Sequence, residues 1–126
     1  MAVVNLTKAN LEEVITGSDF VIVDFWAPWC GPCQSFGPVF EAESENHAEV
    51  VFAKVNTQDE QEIAAHFQIR SIPTLMIFRE QVIIYAQPGA MQASQFAELI
   101  QKAKDLDMDE VRKQIAEQEQ QEQQSS

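Results

Sequence analysis

Positive charge is scarce in this chain of 126 residues. Eight Lys and Arg residues stand against twenty Asp and Glu residues, so the formal net charge is −12 and the sequence pI is about 4.3. Nucleic-acid phosphates and anionic lipid surfaces attract basic proteins and repel acidic ones. The composition therefore argues against a protein that binds nucleic acid or a membrane surface.

Segments for targeting or for membrane insertion are missing as well. The first eight residues contain no basic stretch followed by an apolar one, which a secretory signal would require. The longest apolar stretch, residues 20–30, is interrupted by Asp24 and is too short to cross a bilayer. We therefore expect a cytoplasmic protein, in a compartment where thiols are kept reduced.

Cysteine is limited to two residues, Cys30 and Cys33. In a reducing compartment such a pair is metal-binding or catalytic rather than a structural disulfide. A structural zinc site needs two further ligands, and the two histidines, His47 and His66, stand alone and far apart in the sequence. The sequence therefore favours catalysis, and we expect neither a metal nor a bound cofactor.

The sequence does contain a regular alternation of strand-like and helix-like segments. The run at 20–25 is apolar apart from one acid, which is typical of a strand buried on both faces. Asn10 and Glu13 have the spacing of a capped helix start. Strands are predicted at 3–6, 20–25, 50–55, 74–78 and 82–86, and helices from residue 10, after Pro32, at 60–67 and at 93–103. This order predicts an α/β fold with a mixed, mostly parallel central sheet and helices on both faces.

The composition changes after Lys104. Residues 105–126 contain seven acids and two bases, and they end in a stretch that is mostly Gln and Glu. Met108, Val111 and Ile115 repeat at intervals of three and four residues, and Asp107 has the position of a helix cap. We predict a domain over 1–104 and an acidic extension over 105–126, with a short helix from about 108 to about 119 and disorder beyond it. This helix would either pack back on the domain or await a partner.

The two cysteines belong to the motif Trp29-Cys30-Gly31-Pro32-Cys33. Two residues three apart in a helical turn lie on the same side, near the separation that a disulfide needs. Pro32 is tolerated in a first helical turn because the amide there has no intrahelical partner. We therefore expect Cys30 just ahead of a helix and Cys33 inside its first turn, where the helix dipole stabilises a thiolate at Cys30.

The wider pattern resembles the thioredoxin family. Residues 25–33 read Phe-Trp-Ala-Pro-Trp-Cys-Gly-Pro-Cys, and they are followed by Ile72-Pro73-Thr74 and by Gly89-Ala90. The resemblance covers roughly residues 1–104 and implies a thioredoxin fold with protein-disulfide reductase activity. It also implies disulfide-containing proteins as substrates and a flavin- and NADPH-dependent thioredoxin reductase as electron donor. We expect the protein to act as a monomer.

The resemblance assigns roles by position. Cys30 matches the attacking cysteine, accessible to alkylation, and Cys33 matches the shielded, resolving one. Asp24 matches a buried acid beneath the pair, where burial would raise its pKa and suit it to act as a general base; the alternative is an acid at an exposed strand end. Lys54 matches a lysine near that acid, or it is a solvated lysine at a strand end.

Substrate docking is also implied by the resemblance. Pro73 matches a cis-proline opposite the redox pair, and the backbone of Ile72 would bind an extended substrate segment. Trp26 would support the active-site loop from below or pack in the core. The residues expected to form the apolar docking surface are Trp29, Gly31, Pro32, Ile72, Pro73, Gly89 and Ala90.

Three features depart from the family's pattern. Gln34 follows the motif where Lys or Arg is common, and the acidic extension lies beyond the usual last helix. Glu80-Gln81 occupies a hairpin turn that usually carries Asn-Gly or Asp-Gly, so we expect this turn to be built differently or lengthened. These departures leave open whether the chain is a general or a specialised member of the family.

The sequence leaves two rival functions beside that of a reductase. A disulfide oxidase or isomerase is disfavoured, because such family members usually have His before the second cysteine, where this chain has Pro32. The acidic extension keeps the other rival open: a non-enzymatic binding module or co-chaperone that uses the fold for docking.

Overall fold

Five strands form the central sheet in the computed structural model, which describes residues 3–124. The strand order is β1-β3-β2-β4-β5; β1 and β3 run parallel to β2, β4 runs antiparallel to β2, and β5 runs antiparallel to β4. The strands are β1 (Val3–Asn5), β2 (Phe20–Trp26), β3 (Val51–Asn56), β4 (Thr74–Arg79) and β5 (Val82–Pro88). Four of the five strands therefore share one direction, and the predicted mixed, mostly parallel sheet is confirmed.

Successive residues of a strand point to opposite faces of the sheet, and in the central strands the residues on both faces are mostly apolar. Helices therefore cover both faces of this sheet. The helices are α1 (Leu11–Thr16), α2 (Gly31–Ser44), α3 (Gln61–His66), α4 (Ala93–Asp105) and α5 (Met108–Gln124). In β2, Phe20 and Ile22 pack in a buried cluster with Phe36 of α2 and Phe96 of α4. The intervening residues of β2 pack on the opposite face with Ile63 of α3. Residue 24 therefore lies on the face that α2 and α4 cover.

The start of α1 differs from the prediction. Asn10 occupies the N-cap position with a helical backbone, but its side chain makes no bond to the first-turn amides. Its Oδ1 instead accepts a hydrogen bond from the Thr7 backbone N–H at 2.7 Å, and its Nδ2 donates to the Asn5 carbonyl at 3.0 Å. The predicted capping pair with Glu13 is wrong, because this loop uses the amide of Asn10 for its own closure.

The hairpin between β4 and β5 has the common two-residue loop but lacks the Asn, Asp or Gly residues that such loops favour. Arg79 pairs with Val82, so the loop consists of Glu80 and Gln81, with φ angles of 51° and 69°. Both angles lie in the left-handed region that two-residue hairpin turns require and that Asn and Gly adopt most readily. The expectation of a different or longer turn is therefore wrong. The turn keeps the usual two-residue geometry, although Glu80 and Gln81 replace the usual Asn-Gly or Asp-Gly.

The C-terminal extension forms a helix that begins where it was predicted and ends later. Asp107 Oδ1 accepts hydrogen bonds from the backbone N–H groups of Asp109 and Glu110 at 3.0 and 3.2 Å, which caps α5. Met108 is buried, and the guanidinium of Arg112 pairs with Glu80 in the hairpin turn at 2.7 Å. The first turns of α5 are therefore packed on the domain.

The expected disorder after residue 119 is not what the structure shows. The helix continues to Gln124; Ser125 and Ser126 lie outside the described residues. Gln, Glu and Ala have high helix propensity, so a polar segment propagates a helix once packed turns have nucleated it. A composition too polar for a core does not exclude a solvated helix.

Candidate active site

The redox pair stands at the start of α2. Cys30 is the N-cap residue, with an extended backbone, and Gly31 and Pro32 open the helix. The backbone N–H of Cys33 is directed at Cys30 Sγ at 3.3 Å, and the Cα atoms of the disulfide-bonded pair are 5.3 Å apart. The predicted position of both cysteines is confirmed.

The two cysteines are equally buried in the disulfide form. Their exposed fractions are 5% for Cys30 and 4% for Cys33, because Ala27, Trp26 and Ile72 pack around them. The expected contrast between an accessible and a shielded cysteine is therefore not visible in this state. What distinguishes Cys30 is its neighbour: its Sγ lies 3.7 Å from the carbonyl oxygen of Ile72.

The loop before β4 and the end of β5 meet beside the redox pair. The Ile72–Pro73 peptide bond is cis, as the resemblance implied. The backbone N–H of Gly89 donates to the carbonyl of Pro73 at 2.8 Å, and Gly89 has a φ of 112°, which favours glycine. Ile72 is half-buried, Pro73 is buried, and Gly31, Pro32, Gly89 and Ala90 are exposed.

Trp29 is the most exposed large apolar side chain of the site. It is 71% exposed, whereas Trp26 is half-buried beneath the loop and packs against the cluster that contains both cysteines. The Thr57 N–H and hydroxyl both bond to the Trp26 carbonyl, at 2.8 and 3.0 Å. Trp26 therefore anchors the active-site loop, while Trp29 stands at the surface. Large exposed apolar side chains are typical of contact sites.

Asp24 lies inside the sheet on the α2 face. It is 1% exposed, which excludes the alternative of an acid at an exposed strand end. Neither carboxyl oxygen has a hydrogen-bond partner among the described residues. Burial raises the pKa of this carboxyl to about 7, and the positive charge of Lys54 opposes part of that rise.

Lys54 lies opposite Asp24 in the neighbouring strand. The two residues are register partners between β2 and β3. The Lys54 ammonium lies 3.6 Å from Glu41 Oε1 on α2 and 5.4 Å from the centroid of the Trp26 ring. Its side chain is only 15% exposed, so the alternative of a solvated lysine at a strand end is excluded.

Two residues support the site through contacts that the sequence did not predict. Gln34 donates from Nε2 to the Pro28 carbonyl at 2.8 Å, which ties the first turn of α2 to the loop before it. Glu41 pairs with Lys54. The sequence signal that could have placed Glu41 near the site is its helical spacing from Cys33. Because residues four apart share a helix face, Cys33, residue 37 and Glu41 form one stripe of α2. A long-range ion pair across elements leaves no other mark in the sequence.

The histidines are placed away from the redox pair. His47 Nε2 lies 3.0 Å from Glu43 Oε2, and His66 packs edge-on against the ring of Phe67. Within residues 3–124, no group of three or more His, Cys, Asp or Glu side chains is arranged to hold a metal ion. Over the same residues, no helix combines the length and the apolar character that crossing a membrane requires.

A mixed sheet with a Cys-Gly-Pro-Cys pair at a helix N-terminus defines the class of thiol–disulfide oxidoreductases. Known proteins agree with this assignment. The family model described as Thioredoxin matches residues 2–102. A Streptomyces coelicolor protein named "Putative thioredoxin 2" is 53% identical over 115 residues, which is 91% of this chain and 86% of that protein. That match therefore runs into the C-terminal extension.

Two further comparisons extend the similarity to other lineages. A thioredoxin of Alicyclobacillus acidocaldarius is 42% identical over 106 residues and covers 79% of this chain and 100% of its own. The solved structure of Plasmodium falciparum thioredoxin superposes with a TM-score of 0.73 at 32% identity, covering 79% of this chain and 97% of its own. The chain belongs to the thioredoxin family. It is a protein-disulfide reductase that works by dithiol–disulfide exchange through Cys30 and Cys33.

Proposed function

We propose that Cys30 is the attacking cysteine and Cys33 the resolving one. The Cys30 thiolate attacks one sulfur of a substrate disulfide, which forms a mixed disulfide and releases one substrate thiolate. The Cys33 thiolate then attacks Cys30 Sγ, which forms the Cys30–Cys33 disulfide and releases the second substrate sulfur as a thiolate, which takes up a proton from solvent. Two electrons pass from the dithiol to the substrate.

The observation that carries this assignment is the hydrogen bond from the Cys33 N–H to Cys30 Sγ. It aims an amide of the first turn of α2 at one sulfur only, and the positive end of the helix dipole lies at the same place. Both effects stabilise negative charge on Cys30, as nucleophile and as leaving group. Cys33, inside the first turn, is held close enough to resolve the mixed disulfide intramolecularly, where effective molarities reach ~10⁵ M.

Asp24 is proposed as the general base for the resolving step. It accepts the proton of Cys33 directly or through one water, which frees the thiolate for attack. A base works best when its pKa is near the operating pH, and burial brings the pKa of Asp24 to about 7. Lys54 is proposed to tune this base, because its charge favours the ionised carboxylate.

Substrate docking is proposed at the surface formed by Trp29, Gly31, Pro32, Ile72, Pro73, Gly89 and Ala90. The exposure of the Trp29 ring supports an apolar contact, and the proximity of Ile72 to Cys30 Sγ supports backbone pairing with an extended substrate segment next to its disulfide. The cis-proline loop and Gly89 are joined by a hydrogen bond, so this surface needs little ordering when a substrate binds.

The electron donor is proposed to be a flavin- and NADPH-dependent thioredoxin reductase, and the place of action the cytoplasm. Membership of the thioredoxin family supports the first proposal. The second is supported by the chemistry, because a disulfide reductase needs a compartment in which its own disulfide is continuously reduced.

The direct experiment is reduction of insulin disulfides, followed by the turbidity of the released chain. We expect turnover with dithiothreitol and with NADPH plus a thioredoxin reductase, and no turnover for Cys30→Ser. Turnover with dithiothreitol but not with the reductase system would refute the proposed donor alone. Unchanged turnover of Cys30→Ser would refute the assigned nucleophile.

A further inference from the structure

Lys54 acts on two carboxylates of different exposure. On one side is Asp24, its register partner, which is 1% exposed. On the other is Glu41 of α2, 3.6 Å away, with a side chain that is 46% exposed. The lysine therefore has one partner in the interior and one at the surface.

The surroundings of Lys54 restrict where its ammonium can go. The Trp26 ring lies 5.4 Å from Nζ, and a Cβ built on Gly37 would be 3.7 Å from Nζ, so the α2 backbone closes the other side. The backbone of Lys54 is fixed in β3, between β1 and β2. The ammonium is thus bounded by the Trp26 ring and by α2, and its ion-pair partner among the described residues is Glu41.

Few other charges act on Asp24. From β3 it faces Lys54, and its register partner in β4 is the apolar Leu75. The covering helix α2 contributes Cys33, which is disulfide-bonded here, and Glu41 beyond the lysine. A change at Glu41 therefore reaches Asp24 through Lys54.

We propose that Glu41 is a positioning residue for Lys54: it draws the ammonium toward the surface and so limits how strongly Lys54 favours the ionised form of Asp24. This inference deepens the role proposed above for Asp24 and rests on it for its catalytic meaning. The electrostatic coupling from Glu41 to Asp24 through Lys54 can be measured without an activity assay.

The expected effect is small but measurable. If the ammonium moves from about 6 Å to about 5 Å from a carboxylate at an effective dielectric constant of about 20, the pKa of that carboxyl falls by about 0.4. In Glu41→Gln the lysine loses its ion pair at the surface and keeps the attraction of Asp24. The pKa of Asp24 is therefore expected to fall.

The test is an NMR titration of the Asp24 carboxyl carbon in the disulfide form, in which neither cysteine titrates. Glu41→Gln should lower the midpoint by about 0.4. Glu43→Gln is the matched control, because it removes a carboxylate of the same helix that pairs with His47 instead. It should leave the midpoint unchanged. An unchanged or raised midpoint in Glu41→Gln would overturn the proposal.

A second background separates positioning from a direct effect of the Glu41 charge. Lys54→Met should raise the midpoint of Asp24, and adding Glu41→Gln to it should then have no effect, since the intermediary is gone. A shift that persists in the Lys54→Met background would show direct action and would contradict a positioning role.

The same variants distinguish this inference from the proposed function. If the Asp24 midpoint falls in Glu41→Gln and the pH–rate profile of insulin reduction moves with it, both stand. If the midpoint falls and the profile does not move, the positioning role stands and the general-base role fails.

Discussion

Arg112 of α5 pairs with Glu80 of the β4–β5 turn at 2.7 Å, and this contact joins the C-terminal extension to the domain. Met108, one turn earlier, is 4% exposed. An exposed ion pair is weakened by solvent screening and contributes little, whereas a buried Met contributes about 2 kcal/mol or more. The apolar contact therefore holds α5 in place, and the ion pair fixes its direction.

Met108→Ala should lower the free energy of unfolding by about 2 kcal/mol and leave insulin reduction unchanged. Truncation after Lys104 should destabilise by at least as much, with reductase activity retained. Thermal unfolding measures both, and the exposed Lys113→Ala, expected within about 0.5 kcal/mol of the parent, is the control. Unchanged stability in both variants would show that α5 is not packed on the domain and would favour a docking role.

The turn residues Glu80 and Gln81 should respond differently to glycine. A left-handed backbone is unfavourable for both residues, and relief of that conformation is worth about 1 kcal/mol. Gln81→Gly should stabilise the protein by at most about 0.5 kcal/mol, net of the flexibility it adds and of the exposed 3.3 Å hydrogen bond from Gln81 Nε2 to the Thr16 carbonyl that it loses. Glu80→Gly should gain nothing, because it also loses the pair with Arg112. Equal effects in urea unfolding would contradict the role given to Glu80.

Asp24→Asn should stabilise the protein in a pH-dependent way. The folded carboxyl, with a pKa of about 7, holds its proton more tightly than the unfolded one, with a pKa near 4. Parent stability therefore falls as pH rises from about 4 to about 7, by at most about 4 kcal/mol. The gain from Asn should be near zero at pH 4 and largest above pH 7. Asp19→Asn, at an exposed site before β2, is the matched control variant.

The kinetic effect of Asp24→Asn should be opposite in sign. Without the base, the resolving step should slow near pH 7 and recover toward high pH, where Cys33 ionises unaided. Stopped-flow measurement of mixed-disulfide decay from pH 6 to about pH 9.5 gives this profile. A profile that matches that of the parent would remove Asp24 from the mechanism.

Much of this fold could be predicted from the sequence because the relevant signals are local. The run of β2, apolar apart from Asp24, the helical segment at 93–103 and the Cys-Gly-Pro-Cys motif each lie within one segment. The Asp107 cap was equally visible, and its hydrogen bonds are present. The errors arose where a local pattern allows two outcomes: the Asn10 side chain closes a loop instead of capping α1, and a Gln/Glu-rich segment remains helical to Gln124.

The site was predicted less completely, because part of it depends on contacts between distant segments. The cysteines and Asp24 could be located from the motif and from an acid within an apolar strand. The pairing of Lys54 with Glu41, the bond between Gly89 and Pro73 and the burial of both cysteines required the folded structure. No periodicity encodes which lysine meets which glutamate across a sheet and a helix.

The assignment of Cys30 as nucleophile and Cys33 as resolving cysteine is tested most directly by trapping. Each single Ser variant is incubated with a disulfide-bonded protein substrate, and the adducts are located by peptide mass spectrometry. The account predicts stable mixed disulfides on Cys30 in the Cys33→Ser variant and almost none on Cys33 in the Cys30→Ser variant. Adducts that accumulate mainly on Cys33 would contradict it.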